Sequence, residues 1–255
     1  MKLITALRSE ILKTKRTASI YFTLIGAAAV PLILLLNMLV DNDVIEATRK
    51  DPLNGIFKLA SEINGMVFFP VFVILVCTLL PQIEYRNNTW KQVFASPQKK
   101  GNVFLAKFFN INLLIVLFLV ANLVFMWLVL VAVHFLDPAL DLLHRPFDAK
   151  RQLLRTGNAY ITILALCAFQ FWLGLRFRNF IVPCAIGVAL WLTATMMTME
   201  FKSSLMIYFP YSFQIFPLMP RLQGQVDQVA WTSLAYALLF LTLGFFDFRR
   251  RRLTA

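Results

Sequence analysis

Apolar residues fill six long stretches of the chain, and short polar segments separate them. The stretches cover residues 18–40, 66–83, 108–136, 159–175, 180–199 and 229–246. A helix needs about 20 apolar residues to cross the hydrocarbon core of a bilayer. Because lipid offers no partner to free backbone groups, helices are the expected spanning element. The pattern therefore predicts six transmembrane helices, the third long enough to tilt or to project from the bilayer.

The composition supports an all-α integral membrane protein. Of the 255 residues, 59% are hydrophobic and 15% are charged, whereas globular domains carry about 25% charged residues. So much apolar surface does not fit inside one soluble core. We therefore expect a single transmembrane domain over residues 1–255.

The distribution of charge predicts the orientation of the chain. With the N-terminus inside, the inner segments hold 16 Lys and Arg and the outer loops hold nine. Acidic residues divide the other way, with three inside and ten outside. Cytoplasmic loops of membrane proteins collect Lys and Arg, so both termini are expected in the cytoplasm. This topology explains the net charge of +12, and no nucleic-acid partner is expected.

The six stretches carry almost no ionisable side chains. His134 is the only acid, base or histidine inside them, whereas ion-coupled transporters place such groups within the membrane. The chain also has no phosphate-loop pattern GxxxxGK[ST]. We expect no catalytic site, metal or cofactor in this chain, and uphill transport would need a separate energy source. Asn37, Asn112 and Asn122 are expected to form hydrogen bonds between helices.

Two inner segments have an amphipathic pattern. In EYRNNTWKQ, residues 84–92, helical spacing places Tyr85, Thr89 and Trp90 on one half of a helix. In residues 1–17 the same spacing forms an apolar stripe that includes Leu7 and Ile11. Such helices lie on a membrane surface or dock into another protein. The pattern predicts an N-terminal interfacial helix over 1–17 and a short amphipathic helix that begins at Glu84 and ends at Pro97.

These segments resemble the permease subunits of ABC-2 type transporters, in particular those of bacitracin and lantibiotic export or immunity. The matching pieces are LRSEILKTKRT at Leu7–Thr17 and EYRNNTWKQVFASPQKKGNVFLAKFF at Glu84–Phe109. In the second piece the family pattern falls on Glu84, Thr89, Pro97, Lys99, Lys100, Ala106 and Lys107. The resemblance implies the ABC-2, type V exporter-like, permease fold in a bacterial cytoplasmic membrane.

The resemblance also implies partners and contact residues. Two permease chains, identical or related, would work with two separate ATPase subunits that hold ATP and Mg. Residues 84–107 would form the cytoplasmic coupling loop. The expected ATPase contacts are Glu84, Arg86, Thr89, Trp90 and Lys91. Arg176 and Arg178, between the fourth and fifth spans, are expected to form a second contact or to anchor the chain to anionic headgroups.

Two outer segments bear on the cargo. Residues 200–228 contain three prolines and many aromatic residues, which predicts either helices that re-enter the outer leaflet or a packed outer cap. Residues 137–158 carry four cations, which form local ion pairs or contact lipid phosphates or an anionic substrate. Spans rich in Phe and free of charge at mid-depth predict an apolar or amphipathic cargo. A lipid-like molecule, an antibiotic and a membrane-active peptide all fit this description.

The pattern leaves functions from other classes open. A membrane scaffold or assembly factor that docks a cytoplasmic protein, and transports nothing, would also carry exposed amphipathic segments on its inner side. A channel-like or ATP-independent lipid-handling protein is a third interpretation. A separate ATPase bound to the chain would favour the exporter over both of these alternatives.

Overall fold

The computed structural model describes residues 3–15, 17–40, 51–90, 92, 98–136, 145–201 and 203–250. Helices make up most of these ranges, and no strand occurs within them. Six helical segments are long and apolar enough to cross a membrane. The segments are Ser19–Val40, Pro52–Arg86, Lys100–Leu136, Ala149–Arg176, Ile181–Met199 and Pro220–Arg250. The predicted all-α fold with six spanning helices is confirmed.

Eight α-helices follow one another along the described chain. They are α1 (Leu3–Lys15), α2 (Ser19–Val40), α3 (Pro52–Ile63), α4 (Phe69–Arg86), α5 (Lys100–Leu136), α6 (Ala149–Arg176), α7 (Ile181–Met199) and α8 (Val226–Arg250). A π-helical turn, Asn64–Phe68, joins α3 to α4 into one spanning segment. Between α7 and α8 lie three 3₁₀ helices, Ser204–Tyr208, Phe213–Ile215 and Pro220–Gln225.

Several helices extend beyond the apolar stretches that predicted them. The second spanning segment begins at residue 52 instead of 66, the third at 100 instead of 108, and the fourth at 149 instead of 159. The backbone hydrogen bonds of these helices continue through polar residues. Hydropathy detects only the apolar part of a helix, so it does not show these extensions. Residues 84–86 and 100–107 of the predicted coupling loop are therefore helical, as are residues 149–158 of the predicted outer loop.

The helices are held together by aromatic packing and a few interhelical hydrogen bonds. α6 packs most extensively on α8 and α4, while α5 packs on α2 and α1. The rings of Phe72 and Phe118 stack with their centroids 4.3 Å apart. Because lipid tails are as apolar as these side chains, van der Waals packing and hydrogen bonds drive association within a membrane.

Two of the asparagines bridge helices as predicted. Asn122 Nδ2 donates to the carbonyl of Ala27 at 2.9 Å, which links α5 to α2. Tyr160 on α6 donates from its hydroxyl to Asn112 Oδ1 at 3.1 Å. Each bond satisfies polar atoms that would otherwise face hydrocarbon.

Residues 203–225 pack against the bundle, and we call this segment the cap; whether its short helices re-enter the outer leaflet stays a prediction. Tyr211, Phe213 and Phe216 are fully buried in it. The Tyr211 hydroxyl donates to Gln170 Oε1 at 2.8 Å. Gln170 Nε2 in turn donates to Thr78 Oγ1 at 3.0 Å and to the Pro183 carbonyl at 2.7 Å. The cap is thereby fixed to α4, α6 and α7.

Contacts between helix ends define two ends of the bundle. At the end we call the basic end, Lys100 Nζ donates to the Arg249 carbonyl at 3.3 Å, and Arg176 pairs with Asp247 at 2.6 Å. At the opposite end, Asn54 Nδ2 donates to the Pro146 carbonyl at 3.0 Å. The distribution of Lys and Arg predicts that the basic end faces the cytoplasm.

Candidate functional site

Four charged side chains meet where α1, α4 and α5 converge at the basic end. Lys107 Nζ lies 2.9 Å from Glu10 Oε2 and also bonds Glu84 Oε1. Lys13 Nζ lies 2.7 Å from Glu10 Oε1 and 3.2 Å from Glu84 Oε1. We call Glu10, Lys13, Glu84 and Lys107 the charge cluster. Its two cations and two anions balance, and each cation contacts both carboxylates.

The charge cluster is largely removed from solvent. Side-chain exposure is 5% for Lys107, 3% for Glu84 and 9% for Glu10, against 42% for Lys13. Buried charges need partners, because an isolated ion loses its hydration. Within the described ranges, no group of His, Cys, Asp or Glu is suited to hold a metal ion.

Neighbouring charges shift the pKa values of the two α1 residues, Glu10 and Lys13. Burial raises the pKa of Glu10, but the ammonium groups of Lys107 and Lys13 outweigh it and hold that pKa below its ordinary value of 4.5. Burial lowers the pKa of Lys13, but the carboxylates of Glu10 and Glu84 outweigh it and raise that pKa above 10.5. Both groups on α1 are therefore charged at neutral pH.

α1 buries a different face from the apolar stripe that the sequence predicted. Ala6, Glu10 and Thr14, one turn apart, are buried, whereas Leu7 and Ile11 of the predicted stripe are half-buried. Asn110 on α5 also donates a hydrogen bond from Nδ2 to Thr14 Oγ1 at 2.7 Å. The partners of these polar side chains lie on α5, so tertiary pairing decides which face is buried.

The chain after α4 differs from the amphipathic helix predicted over 84–97, of which residues 91 and 93–97 lie outside the described residues. α4 continues to Arg86, because the amide of Asn87 still donates to the Ile83 carbonyl at 3.1 Å. Residues 87–89 then form a turn, in which Asn88 has a φ of 53°. Asn is one of the few residues that adopts this left-handed conformation readily. The turn ends α4 and leaves Asn87 and Asn88 exposed.

Trp90 packs against the bundle directly after this turn. Its ring centroid lies 5.2 Å from that of Tyr85 and 5.8 Å from that of Phe248. Lys107 Nζ lies 5.5 Å from the centre of the Trp90 ring, a cation–π contact. The Tyr85 hydroxyl donates to the Leu175 carbonyl at 2.6 Å. These contacts fix the turn to α5, α6 and α8.

The structure separates the predicted ATPase contacts into two groups. Arg86 is exposed and Thr89 is partly exposed at the basic end, and their role as contacts stays a prediction. Glu84 and Trp90 are buried at 2% and 8% exposure. They therefore help to hold the turn in place and present little surface in this conformation, and their role as ATPase contacts also stays a prediction. Lys91 lies outside the described residues.

The second predicted contact also lies at the basic end. Arg176 Nη1 lies 2.6 Å from Asp247 Oδ1, yet the Arg176 side chain remains 59% exposed. Arg178 is exposed as well. Contact with a protein and contact with anionic headgroups both remain predictions for this pair.

Sequence reasoning missed the charge cluster as a unit. Glu84 and Lys107 each lie one residue outside a predicted span, and the family pattern marks both without pairing them. Glu10 and Lys13 belong to the other matching piece. The sequence does show opposite charges, Glu84 and Lys107, at the facing ends of two neighbouring spans. Their spacing in the sequence does not show which charged side chains pair with each other.

Comparison with known families identifies the class of protein. Residues 6–194 match the family model described as ABC-2 family transporter protein. The match covers well over half of the chain and includes the charge cluster and the helices from α1 to most of α7. The chain belongs to the ABC-2 family of transporter membrane proteins, and it is a multi-pass permease. No curated protein matches the chain in a sequence search.

Proposed function

We propose that this chain is the permease subunit of an ATP-driven exporter, coupled through residues 84–97 to a separate ATPase. ABC-2 permeases normally work with an ATPase partner. The observation that carries the proposal is the charge cluster beside the exposed turn at 87–89. Its buried ion pairs join the end of α4 to α5 and α1. The charge cluster therefore attaches the turn to α1 and α5.

Coupling requires that a force on the turn reach the spans. Glu84 lies three residues before the turn and is bonded to Lys107 on α5. Trp90, directly after the turn, packs on Phe248 of α8. Movement of the turn would thus carry the ends of α4, α5 and α8 together. Rigid-body movement of packed helices is a recognised means of switching between states, here inward-facing and outward-facing ones.

The surface around the turn favours an acidic partner groove. Arg86, Arg176 and Arg178 are exposed at the basic end, and Asn87 and Asn88 add exposed uncharged hydrogen-bonding groups. Complementary charge steers association and fixes register. We propose that these side chains, with Thr89, form the docking surface on this chain.

The proposed assembly contains a second permease chain and sits in a bacterial cytoplasmic membrane, with both termini inside. The exposed apolar side chains of α2, such as Ile25 and Leu36 at 72% and 61% exposure, suit contact with lipid or with that second chain. The cargo is apolar or amphipathic: a lipid-like molecule, an antibiotic or a membrane-active peptide.

Purification of the tagged chain from its native host in mild detergent tests the proposal. We expect a stoichiometric ATPase, identified by mass spectrometry, whose ATP turnover changes when the permease is bound. Arg86→Glu should weaken the association of the permease with this ATPase at least tenfold. Arg145→Glu, at an exposed arginine of the opposite end, is the matched control and should leave association intact.

Two results would overturn the exporter proposal. One is recovery of the folded chain without any ATPase; a different cytoplasmic protein bound at the turn would then favour the scaffold function. The other is equal loss of ATPase binding in the Arg86 and Arg145 variants, which would remove the turn from the interface.

A further inference from the structure

A pocket with amphipathic walls lies towards the opposite end of the bundle, between α3, α5, α6 and the cap. It is partly open to the surface, and its accessible volume is about 50 Å³. Its polar lining comprises Lys58, Ser61, Glu62, Asn64, Asn122, Gln152, Arg155, Thr156 and Gln223. Its apolar lining includes Phe69, Leu119, Leu123 and Leu218. The pocket is separate from the charge cluster.

The polar and apolar walls lie at different depths. Lys58 and Arg155 lie less than two helical turns from the starts of α3 and α6, and therefore near the opposite end. Leu119 and Leu123 lie more than three turns before the end of α5, and therefore deeper in the bundle. A cationic rim above an apolar wall matches the order of headgroup and tail in a lipid.

Two buried amide oxygens in the pocket accept no hydrogen bond from a described residue. The atoms are Asn64 Oδ1 and Gln152 Oε1, and both residues are 6% exposed. Buried polar atoms are normally paired, and an acceptor left unpaired destabilises the fold. These oxygens are therefore suited to accept bonds from hydroxyl or amine groups of a ligand.

The pocket lining carries two cations and one anion, and the carboxylates of Glu62 and Asp148 lie within electrostatic reach of Arg155. Lys58 Nζ lies 3.8 Å from Glu62 Oε1, so these two charges balance. Arg155 is half-buried and forms no hydrogen bond or close ion pair with a described residue. A guanidinium group in this position recognises a phosphate or carboxylate.

The backbone beside the pocket is also specialised. Asn64 begins the π-helical turn Asn64–Phe68, and such turns are frequent at functional sites. A Cβ added at Gly65 would lie 2.9 Å from Leu218 Cδ1. The glycine thus lets the cap approach closely and form one wall of the pocket.

We propose that this pocket binds one anionic glycerophospholipid whose headgroup carries hydroxyl groups. The phosphate lies on Arg155, headgroup hydroxyls donate to Asn64 and Gln152, and an acyl chain follows Leu119 and Leu123. This binding site goes beyond the proposed coupling function and does not depend on an ATPase.

Native mass spectrometry of the full chain in a nonionic detergent tests this site. Dioleoyl phosphatidylglycerol should give a one-to-one adduct. Dioleoyl phosphatidylcholine has the same tails but no hydroxyl or N–H donor in its headgroup, and glycerol phosphate has the anion without the tails. Each should bind at least tenfold more weakly. Equal binding of phosphatidylcholine, or the absence of a one-to-one adduct, would overturn the proposal. Equal binding of glycerol phosphate would assign the pocket to a free anion and likewise overturn it.

Variants distinguish the pocket from general attraction of anionic lipid to a basic protein. Arg155→Ala should weaken binding of phosphatidylglycerol at least tenfold, whereas Lys150→Ala, an exposed cation on the same helix, should not. Thr156→Phe fills the pocket without changing charge and should also weaken binding. The thermal midpoint of each variant verifies folding. Undiminished binding in the Thr156→Phe variant, or equal losses in the Arg155 and Lys150 variants, would contradict the assignment.

Discussion

Lys107 Nζ lies 2.9 Å from Glu10 Oε2, and this ion pair joins residues 97 positions apart in the sequence. It ties the N-terminal helix to the third spanning segment inside the protein. Glu84 shares the same ammonium group, so the end of the second spanning segment belongs to the same unit. α1 is therefore part of the bundle, and the exposed turn after α4 stands on this unit.

Removal of one charge from this unit should be costly. Lys107→Met leaves two carboxylates facing the single ammonium of Lys13, and breaking a buried pair in this way costs about 3–5 kcal/mol. We expect a markedly lower thermal midpoint in detergent, measured by the loss of the monodisperse peak after heating. Lys99→Met, at an exposed lysine just before α5, is the matched control and should behave like the parent.

A double variant tests whether the loss arises from unbalanced charge. Glu10→Gln combined with Lys107→Met leaves Glu84 and Lys13 as a neutral pair. It should be more stable than the Lys107→Met variant alone, because neighbouring sites couple. Strictly additive losses of the thermal midpoint would show that the two side chains act independently.

The pH dependence of stability follows from the shifted pKa values of α1. The folded pKa of Glu10 lies below 4.5, so its contribution is present above that value and is lost as pH falls through the folded pKa. The folded pKa of Lys13 lies above 10.5, so its contribution is present below that value and is lost as pH rises through the folded pKa. Stability should therefore be greatest between about pH 5 and pH 10.

Thermal midpoints measured from acid to alkaline pH test both limits. The Glu10→Gln variant has no carboxylate at this position, so its midpoint should fall less steeply in acid than that of the parent. Equal acid slopes in the two proteins would assign the loss to other carboxylates.

Trp90 and Arg86 should affect the proposed complex in different ways. Trp90→Ala removes a buried ring between Tyr85 and Phe248, and such truncations cost about 3–5 kcal/mol. The permease alone should lose stability. Arg86→Ala removes an exposed side chain, so the permease should stay stable while ATPase binding weakens. Measurements of the thermal midpoint and of ATPase binding check these two roles. Loss of stability in Arg86→Ala, with loss of ATPase binding alone in Trp90→Ala, would refute them.

The turn at Asn88 depends on one backbone conformation. Its φ of 53° costs a β-branched residue about 1–2 kcal/mol or more, whereas glycine adopts it freely. We expect Asn88→Val to lower the thermal midpoint and ATPase binding together, and Asn88→Gly to retain both. Comparable behaviour of the two variants would mean that the turn does not require this φ.

The buried amide of Gln170 should fix the cap. Gln170→Leu leaves the Tyr211 hydroxyl and Thr78 without the partners shown here, and an unpaired buried group costs about 1–3 kcal/mol. Tyr211→Phe removes only one of these bonds and should cost less. Thermal midpoints rank the two variants, and a larger loss in Tyr211→Phe would contradict this account.

The sequence by itself determined the membrane class and the number of spans. A bilayer requires about 20 apolar residues per helix and allows no unpaired backbone, so hydropathy carries this information locally. The interhelical roles of Asn112 and Asn122 followed from the same constraint. The family pattern marked Glu84 and Lys107 as notable positions.

Only the tertiary structure decided where the helices end and which charges meet. The start of α5 at Lys100 is set by backbone hydrogen bonds, which do not depend on hydropathy. Glu10 faces Lys107 because α1 packs on α5, and this packing depends on shape and pairing across distant parts of the chain. The same packing buries Glu84 and leaves Arg86 at the surface. Contacts between distant parts of the chain therefore decide that Glu84 is buried and that Arg86 is exposed. The local sequence does not specify these contacts.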